Sequence, residues 1–91
     1  MVVTLEEVKL YLKIDGDEDD TLITDLMGAA EELCQDILRF PLTEFTEVPE
    51  TVKQALLYAI GNIYELRETV DMKALIEVMT RLLFAYRQEG W

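Results

Sequence analysis

The segment from Asp20 to Leu38 places apolar side chains at spacings of three and four residues and contains no proline. Such spacing puts one face of an α-helix against a core and leaves the opposite face in water. The segment therefore predicts a long amphipathic helix, which is stable only if other elements cover its apolar face. The apolar positions are Leu22, Ile23, Leu26, Met27, Ala30, Leu33, Cys34, Ile37 and Leu38.

Three further segments are predicted to be helices. The stretch TLEEVKLYL offers Thr4 as an N-terminal cap and Glu7 three residues later, a pair that satisfies two backbone N–H groups reciprocally. A third helix is predicted to begin near Glu50, and it is apolar on most of its circumference, which indicates a central position. The last helix is predicted over about Ala74 to Arg87.

Pro41 and Pro49 bracket the stretch between the second and third helices. Because proline cannot donate a backbone hydrogen bond, this stretch is predicted to form a short extended arm or a small hairpin. Residues 1–91 contain no internal repeat and no linker long enough to divide them. The chain is therefore predicted to be a single all-α domain, a small bundle of four helices with a short extended arm between helices 2 and 3.

The stretch KIDGDEDDTLI, which precedes the second helix, has the acid content of a calcium-binding loop. An EF-hand loop needs a glycine at its sixth position and a bidentate glutamate at its twelfth. Counted from Asp15, these two positions hold Asp20 and Leu26 instead. The stretch therefore predicts a capping turn rather than a metal site. Asp19 or Asp20 is expected to be the cap, and Gly16 is free to take a positive φ angle.

The chain has 19 acidic and 8 basic side chains, a formal net charge of -11. Residues 1–38 hold 11 of the acids and 2 of the bases. A surface this negative argues against binding to nucleic acid phosphates or to anionic membranes.

Because 51% of the residues are hydrophobic in a chain too short to bury them all, self-association is expected. No membrane span and no secretory leader are found, so synthesis in the cytoplasm is expected.

Histidine and cysteine, two residue types that often carry catalysis, are scarce in this sequence. There is no histidine, which is the commonest general base and transition-metal ligand. The single cysteine, Cys34, lies on the apolar stripe of the second helix and is predicted to be a buried core residue. No glycine-rich phosphate loop and no nucleophile paired with a base is present. The sequence therefore predicts a protein that is not an enzyme and uses no cofactor.

Three stretches follow one another in a fixed order: TLEEVKLYLKIDGDEDDTLITDLMGAAEEL, VKQALLYAIGNIYELRE and LLFAYR. Together they resemble the small head-tail connector proteins of tailed bacteriophages and prophages. Two positions depart from that pattern: Ile63 stands where the family often has tryptophan, and Ala85 stands where it usually has proline, which allows the last helix to continue. The matching positions are Val8, Leu12, Ile14, Asp15, Asp20, Tyr64, Arg67, Glu68, Leu82, Leu83, Tyr86 and Arg87.

The resemblance implies a structural role in the virion. Copies of such a protein are expected to form a ring of about a dozen beneath the portal protein, to extend the DNA channel, and to present a surface for a neck or tail completion protein. DNA is expected to pass through without specific binding, and the protein is expected in the virion neck after assembly in the host cytoplasm. The charge alone leaves an alternative open, a small acidic DNA mimic or regulatory binding protein.

Three sets of residues are candidates for this role. Apolar or aromatic side chains in excess of what a monomer core needs are candidates for the subunit interface, namely Leu57, Tyr58, Tyr64, Phe84 and Trp91. Arg67, Glu68, Tyr86 and Arg87 are expected to be structural, and Arg67 is expected to tie the third helix to a neighbouring element by charge-assisted hydrogen bonds. Acids expected to line the channel or its rim are Asp17, Glu18, Asp19, Glu31, Glu32 and Asp36.

Overall fold

A computed structural model of the chain describes residues 2–86, and within them it contains four α-helices and no strand. The helices are α1 (Leu5–Leu12), α2 (Asp20–Leu38), α3 (Glu50–Leu66) and α4 (Met72–Leu83). Short 3₁₀ turns cover Leu42–Glu44, Arg67–Thr69 and Phe84–Tyr86. The predicted all-α bundle of four helices is confirmed.

Helix α3 lies at the centre of the bundle, because it packs against α1, α2 and α4, most extensively against α2. Its residues Val52, Leu56 and Ile60 are fully buried. The molecule is only 17 Å thick along its shortest axis, which corresponds to two layers of helices packed about 8–10 Å apart. The core is continuous across these layers. Besides residues of α3 it contains Val3, Val8, Ile23, Met27, Ala30, Cys34, Leu38, Leu42, Leu75, Met79 and Leu83.

Side chains cap two of the helix starts. The hydroxyl of Thr4 accepts a hydrogen bond from the Glu7 backbone N–H at 3.1 Å, and the Glu7 carboxylate accepts one from the Thr4 N–H at 3.0 Å. This pair is the predicted capping box. At the start of α4, Asp71 accepts a hydrogen bond from the Ala74 N–H at 3.1 Å, so α4 begins at Met72, slightly earlier than predicted.

Three helices end at a long cation in an unusual backbone conformation. Lys13 after α1 and Arg39 after α2 are left-handed, with φ of 61° and 69°, and Arg67 after α3 has φ of 49°. No glycine in residues 2–86 has a positive φ, so the expectation for Gly16 is wrong. The chain turns at Lys13 instead, where the backbone N–H bonds the carbonyls of the last helical turn.

The segment between α2 and α3 forms a packed turn instead of a hairpin. Pro41 and Phe45 are extended, as the arm predicts, but Leu42–Glu44 between them is a 3₁₀ turn. The side chain of Leu42 is buried, and its backbone N–H donates to the Gln35 side chain at 2.9 Å. The segment turns because these two contacts hold Leu42 against α2, which an extended arm would not allow.

Helix α4 ends at Leu83, earlier than the predicted end at Arg87, and continues as the 3₁₀ turn Phe84–Tyr86. The tighter turn sets the Tyr86 ring edge-on to Phe45, with the ring centroids 6.1 Å apart. This contact joins the end of the described chain to the segment before α3. Arg87 itself lies outside the described residues.

Candidate functional site

Chemistry-bearing side chains are dispersed in this fold. Within the described chain, no group of three or more His, Cys, Asp or Glu side chains is arranged to hold a metal ion. Cys34 is fully buried, as predicted, and burial together with the charge of Glu31 raises the pKa of its thiol to about 11. At neutral pH the thiol stays protonated and is a poor nucleophile. The candidate functional sites of this structure are therefore its exposed surfaces.

One exposed apolar surface lies on α4, and we call it the α4 face. Met72, Ile76 and Phe84 are all exposed there, with Phe84 64% exposed. Together with Thr80 they form a row at intervals of four residues, which places them along one side of the helix and its terminal turn. The hydroxyl of Thr80 donates to the Ile76 carbonyl at 2.7 Å, so it leaves no hydroxyl donor free in this row.

Further exposed apolar side chains lie on the outer side of α1, at Leu10, and around the groove between α1 and α3, and we call this combined surface the α1–α3 face. Leu10 is 81% exposed, and Tyr11 and Leu66 are about half exposed. A shallow groove at this face is lined by Tyr11 and Leu66 together with Tyr58, Gly61, Asn62 and Glu65. Sequence reasoning missed Leu10. The available signal was its position off the Leu5, Val8 and Leu12 side of α1, on the side that carries Glu6 and Glu7.

The close approach of α1 to α3 depends on a glycine. A Cβ atom at Gly61 would lie 3.2 Å from a ring carbon of Tyr11 and 3.5 Å from a methyl group of Leu12. A larger side chain at Gly61 would push α1 away from α3. The glycine therefore shapes the α1–α3 face.

The candidate interface residues on α3 differ in their exposure. Leu57 is only 9% exposed and belongs to the core, so it offers little surface to another copy. The reason is the central position of α3, because its wide apolar arc is covered by helices of the same chain. Tyr58 and Tyr64 are each half-buried. Trp91 lies outside the described residues.

Within residues 2–86, the side-chain hydrogen bond of Arg67 goes to its own helix and not to the neighbouring element that was expected. Its Nε donates to the Tyr64 carbonyl at 3.3 Å, and its guanidinium lies 5.5 Å from the centre of the Tyr64 ring. The link to another element is made by Tyr64, whose hydroxyl donates to the Asp19 carboxylate at 2.6 Å. This hydrogen bond, followed by desolvation, raises the pKa of Tyr64 above its ordinary value of 10.0. Glu68 is exposed in the turn that follows.

The turn before α2 also carries an ion pair. Asp19 is the N-terminal cap position of α2, but its side chain makes no capping hydrogen bond and accepts one from the Tyr64 hydroxyl instead. Asp20 instead lies 2.7 Å from the Lys9 ammonium, and this contact joins the start of α2 to α1. The paired oxygen of Asp20 is buried, and the Lys9 ammonium compensates its charge there.

The six acids expected at the channel or its rim fall into two groups. Asp17, Glu18, Glu32 and Asp36 are exposed. Asp19 and Glu31 are half-buried and hydrogen-bonded within the chain, Asp19 to Tyr64 and Glu31 to the Val2 backbone N–H at 3.0 Å. Of these six acids, only the four exposed ones therefore have a fully solvent-facing carboxylate that is available to a partner.

Comparison with known families gives a match over nearly the whole chain. The sequence matches the family model described as phage gp6-like head-tail connector protein over residues 2–87, which include every helix described above. Comparison with curated proteins gave no match, and comparison with solved structures gave none either. Among residues 2–86, no helix combines the length and the apolar character needed to cross a membrane.

Proposed function

The chain belongs to the phage gp6-like head-tail connector protein family, and from this premise we propose that its copies form a ring beneath the portal, join the phage head to the neck and tail, and extend the DNA channel. The observation that carries the proposal is the extent of the family match, which runs from residue 2 to residue 87 of 91. Membership alone makes the chain a structural phage protein of the head-tail junction. The ring and the channel are the further step.

Two exposed apolar faces support assembly into a ring. Monomeric proteins rarely leave large apolar side chains grouped on their surface, and here Leu10, Phe84 and their neighbours are solvent-exposed in the single chain. A subunit that uses two different faces can bind one copy on each side, and such contacts close into a ring when the rotation between copies allows it. From the expected interface set we retain Tyr58, Tyr64 and Phe84, together with Trp91, and we leave out Leu57 because it is buried.

The acidic side chains suit a wall along which DNA moves. Helix α2 carries five acids and no base, and Asp25, Glu32 and Asp36 are all exposed on it. Burying these carboxylates between subunits without partners would cost several kcal/mol for each charge. We therefore place the exposed acids, with Asp17 and Glu18, at the channel or its rim. A negative wall repels phosphates and lets the duplex slide without adhesion.

The remaining structural residues keep the subunit in shape in this proposal. Arg67 holds the Tyr64 ring, and Tyr86 holds the segment before α3 through Phe45. Glu68 and Arg87 are assigned to the same class from the family pattern alone. The proposed partners are other copies of the chain, the portal protein and a neck or tail completion protein, and the proposed location is the virion neck after assembly in the host cytoplasm.

Co-production with the portal protein of the same phage or prophage tests the proposal. We expect the two proteins to co-purify and electron microscopy to show a ring of this chain coaxial with the portal. A protein that stays monomeric and unbound in the presence of the portal would contradict the proposal. A DNA mimic would behave in that way, and it would also displace DNA from the cleft of a DNA-binding partner.

A further inference from the structure

The four helices differ in charge, and α4 is the exception. Helix α1 has two acids and one base, α2 has five acids and no base, and α3 has two acids and one base. Helix α4 has Lys73 and Arg81 against Glu77, a net of +1 in a chain whose net charge is -11. These three charged side chains form an exposed row beside the apolar row of the α4 face. No carboxylate in residues 2–86 forms a salt bridge with Lys73 or Arg81.

The α1–α3 face has the opposite charge. Leu10 is flanked on α1 by Glu6 and Glu7, which precede it by four and three residues and are exposed. The groove beside Tyr11 is lined by Glu65 of α3, which is also exposed. Lys13, just after α1, is the exposed cation nearest to Leu10 along the chain. The α1–α3 face thus combines exposed apolar side chains with mainly acidic ones, and the α4 face combines exposed apolar side chains with mainly basic ones.

We propose that these two faces bind each other, so that the α4 face of one copy seats on the α1–α3 face of the next in a head-to-tail contact. The inference rests on the proposed function in that the product of the repeated contact is the ring. Apolar side chains meet apolar side chains, and Lys73 and Arg81 meet the carboxylates of Glu6 and Glu65. Complementary charge of this kind fixes orientation and partner choice.

The charge rows also disfavour pairing of either face with itself. If two α4 helices packed antiparallel about a two-fold axis at Glu77, Lys73 would lie opposite Arg81 and Glu77 opposite its own copy. Like charges placed opposite each other across an interface are repulsive. Two α1–α3 faces would likewise oppose their glutamates. A contact between unlike faces avoids both arrangements and leaves the acids of α2 in solvent.

Thiol cross-linking tests the head-to-tail contact. We make two single variants, Asn62→Cys beside the groove of the α1–α3 face and Thr80→Cys in the α4 face. Neither position is one of the exposed apolar side chains of its face. The proteins are treated with a short bis-maleimide. The native Cys34 is buried and does not compete. A mixture of the two variants is expected to form cross-linked dimers several-fold more than either variant alone. Ala29→Cys, on the exposed side of α2, is the matched control and should link to neither.

Charge reversal provides a second, independent test. The variant Lys73→Glu/Arg81→Glu has two acidic faces, and the variant Glu6→Lys/Glu65→Lys has two basic ones. Each alone is expected to self-associate about tenfold more weakly than the natural protein. An equal mixture of the two is expected to regain association, because each copy then offers a complementary face to the other. Light scattering and sedimentation at matched salt concentrations measure the effect.

Each result decides for or against the assignment of faces. The assignment is overturned if either cysteine variant cross-links with itself as much as the two cross-link in the mixture, or if no cross-linking occurs at the highest soluble concentration. It is also overturned if the mixture of charge-reversed variants does not regain association. Portal binding is scored separately. If the chain binds the portal but the two faces do not cross-link, the proposed function stands and the assignment is wrong. If the faces cross-link but the portal is not bound, the contact stands and the proposed function is wrong.

Discussion

The hydroxyl of Tyr64 and the carboxylate of Asp19 form a 2.6 Å hydrogen bond between residues 45 positions apart in the chain. The bond joins the last turn of α3 to the cap position of α2. The guanidinium of Arg67 lies over the ring of the same tyrosine in a cation–π contact. One tyrosine therefore connects the acidic turn, the central helix and the turn that leads to α4.

Removing the hydrogen bond between Tyr64 and Asp19 should lower stability. We expect Tyr64→Phe and Asp19→Asn each to melt at a lower temperature than the natural protein, because each substitution weakens or removes this charge-assisted bond. The double variant should lose less than the sum of the two single losses, since both act on one interaction. Thermal melts followed by circular dichroism measure all three. Strictly additive losses would show that the two residues act independently.

Two substitutions at Arg67 separate the contribution of its side chain to stability from the cost of its backbone conformation. With φ of 49° and ψ of -113°, Arg67 lies in a region that only glycine adopts readily. Arg67→Ala loses the contacts to Tyr64 and keeps the backbone cost, so we expect it to lose about 0.5–1 kcal/mol. Arg67→Gly loses the same contacts but relieves the backbone, and should be more stable than Arg67→Ala by about 1 kcal/mol. An Arg67→Ala protein that melts and assembles like the natural one would remove Arg67 from the structural set.

The helix glycines Gly28 and Gly61 should respond differently to alanine. Gly28 in α2 has nothing within 4 Å of an added Cβ, so Gly28→Ala should gain about 0.5–1 kcal/mol from helix propensity. At Gly61 the Cβ would meet the Tyr11 ring at 3.2 Å, so Gly61→Ala should gain less. Gly61→Leu should displace α1 and lower stability. Urea unfolding measures the changes, and an equal gain at both positions would mean that α1 yields freely.

Stability should fall in alkali in two steps. The folded pKa of Cys34 is raised from 9.0 to about 11, so its protonated thiol favours the folded state fully below pH 9.0, and this contribution is lost as the pH rises to about 11. The folded pKa of Tyr64 is raised in the same direction from 10.0. We therefore expect the unfolding free energy to begin falling above pH 9.0. In Cys34→Ala the fall should begin nearer pH 10.0, and an unchanged onset would contradict the role of the thiol.

The features predicted correctly from the sequence depend on neighbours along the chain. The capping box of Thr4 and Glu7 and the bounds of α2 follow from residues within a few positions of each other. The burial of Cys34 follows from the period of a single helix. Local patterns of this kind need no knowledge of which helices meet.

The features that were missed depend on packing between helices. Leu57 faces the core because α3 is central and other helices of the chain cover it. A wide apolar arc in the sequence fits a helix covered by its own chain and a helix covered by a partner equally well. Asp19 or Asp20 was expected to cap α2 through a backbone N–H, but the fold brings the Tyr64 hydroxyl within reach of Asp19. Leu10 stays exposed because α1 has only one buried position, Val8, and turns its other side to solvent.

The cations that end α1, α2 and α3 affect how the subunit responds to force. A residue with a side chain pays roughly 1–2 kcal/mol to be left-handed and has one narrow backbone well there, whereas glycine has several. A positive charge at the carboxyl end of a helix recovers part of that cost. The left-handed bends at Lys13 and Arg39 should therefore act as stiff corners rather than hinges. Arg67, in a region that only glycine adopts readily, should be stiff for the same reason. A pull on one helix should then be passed to the next with little bending.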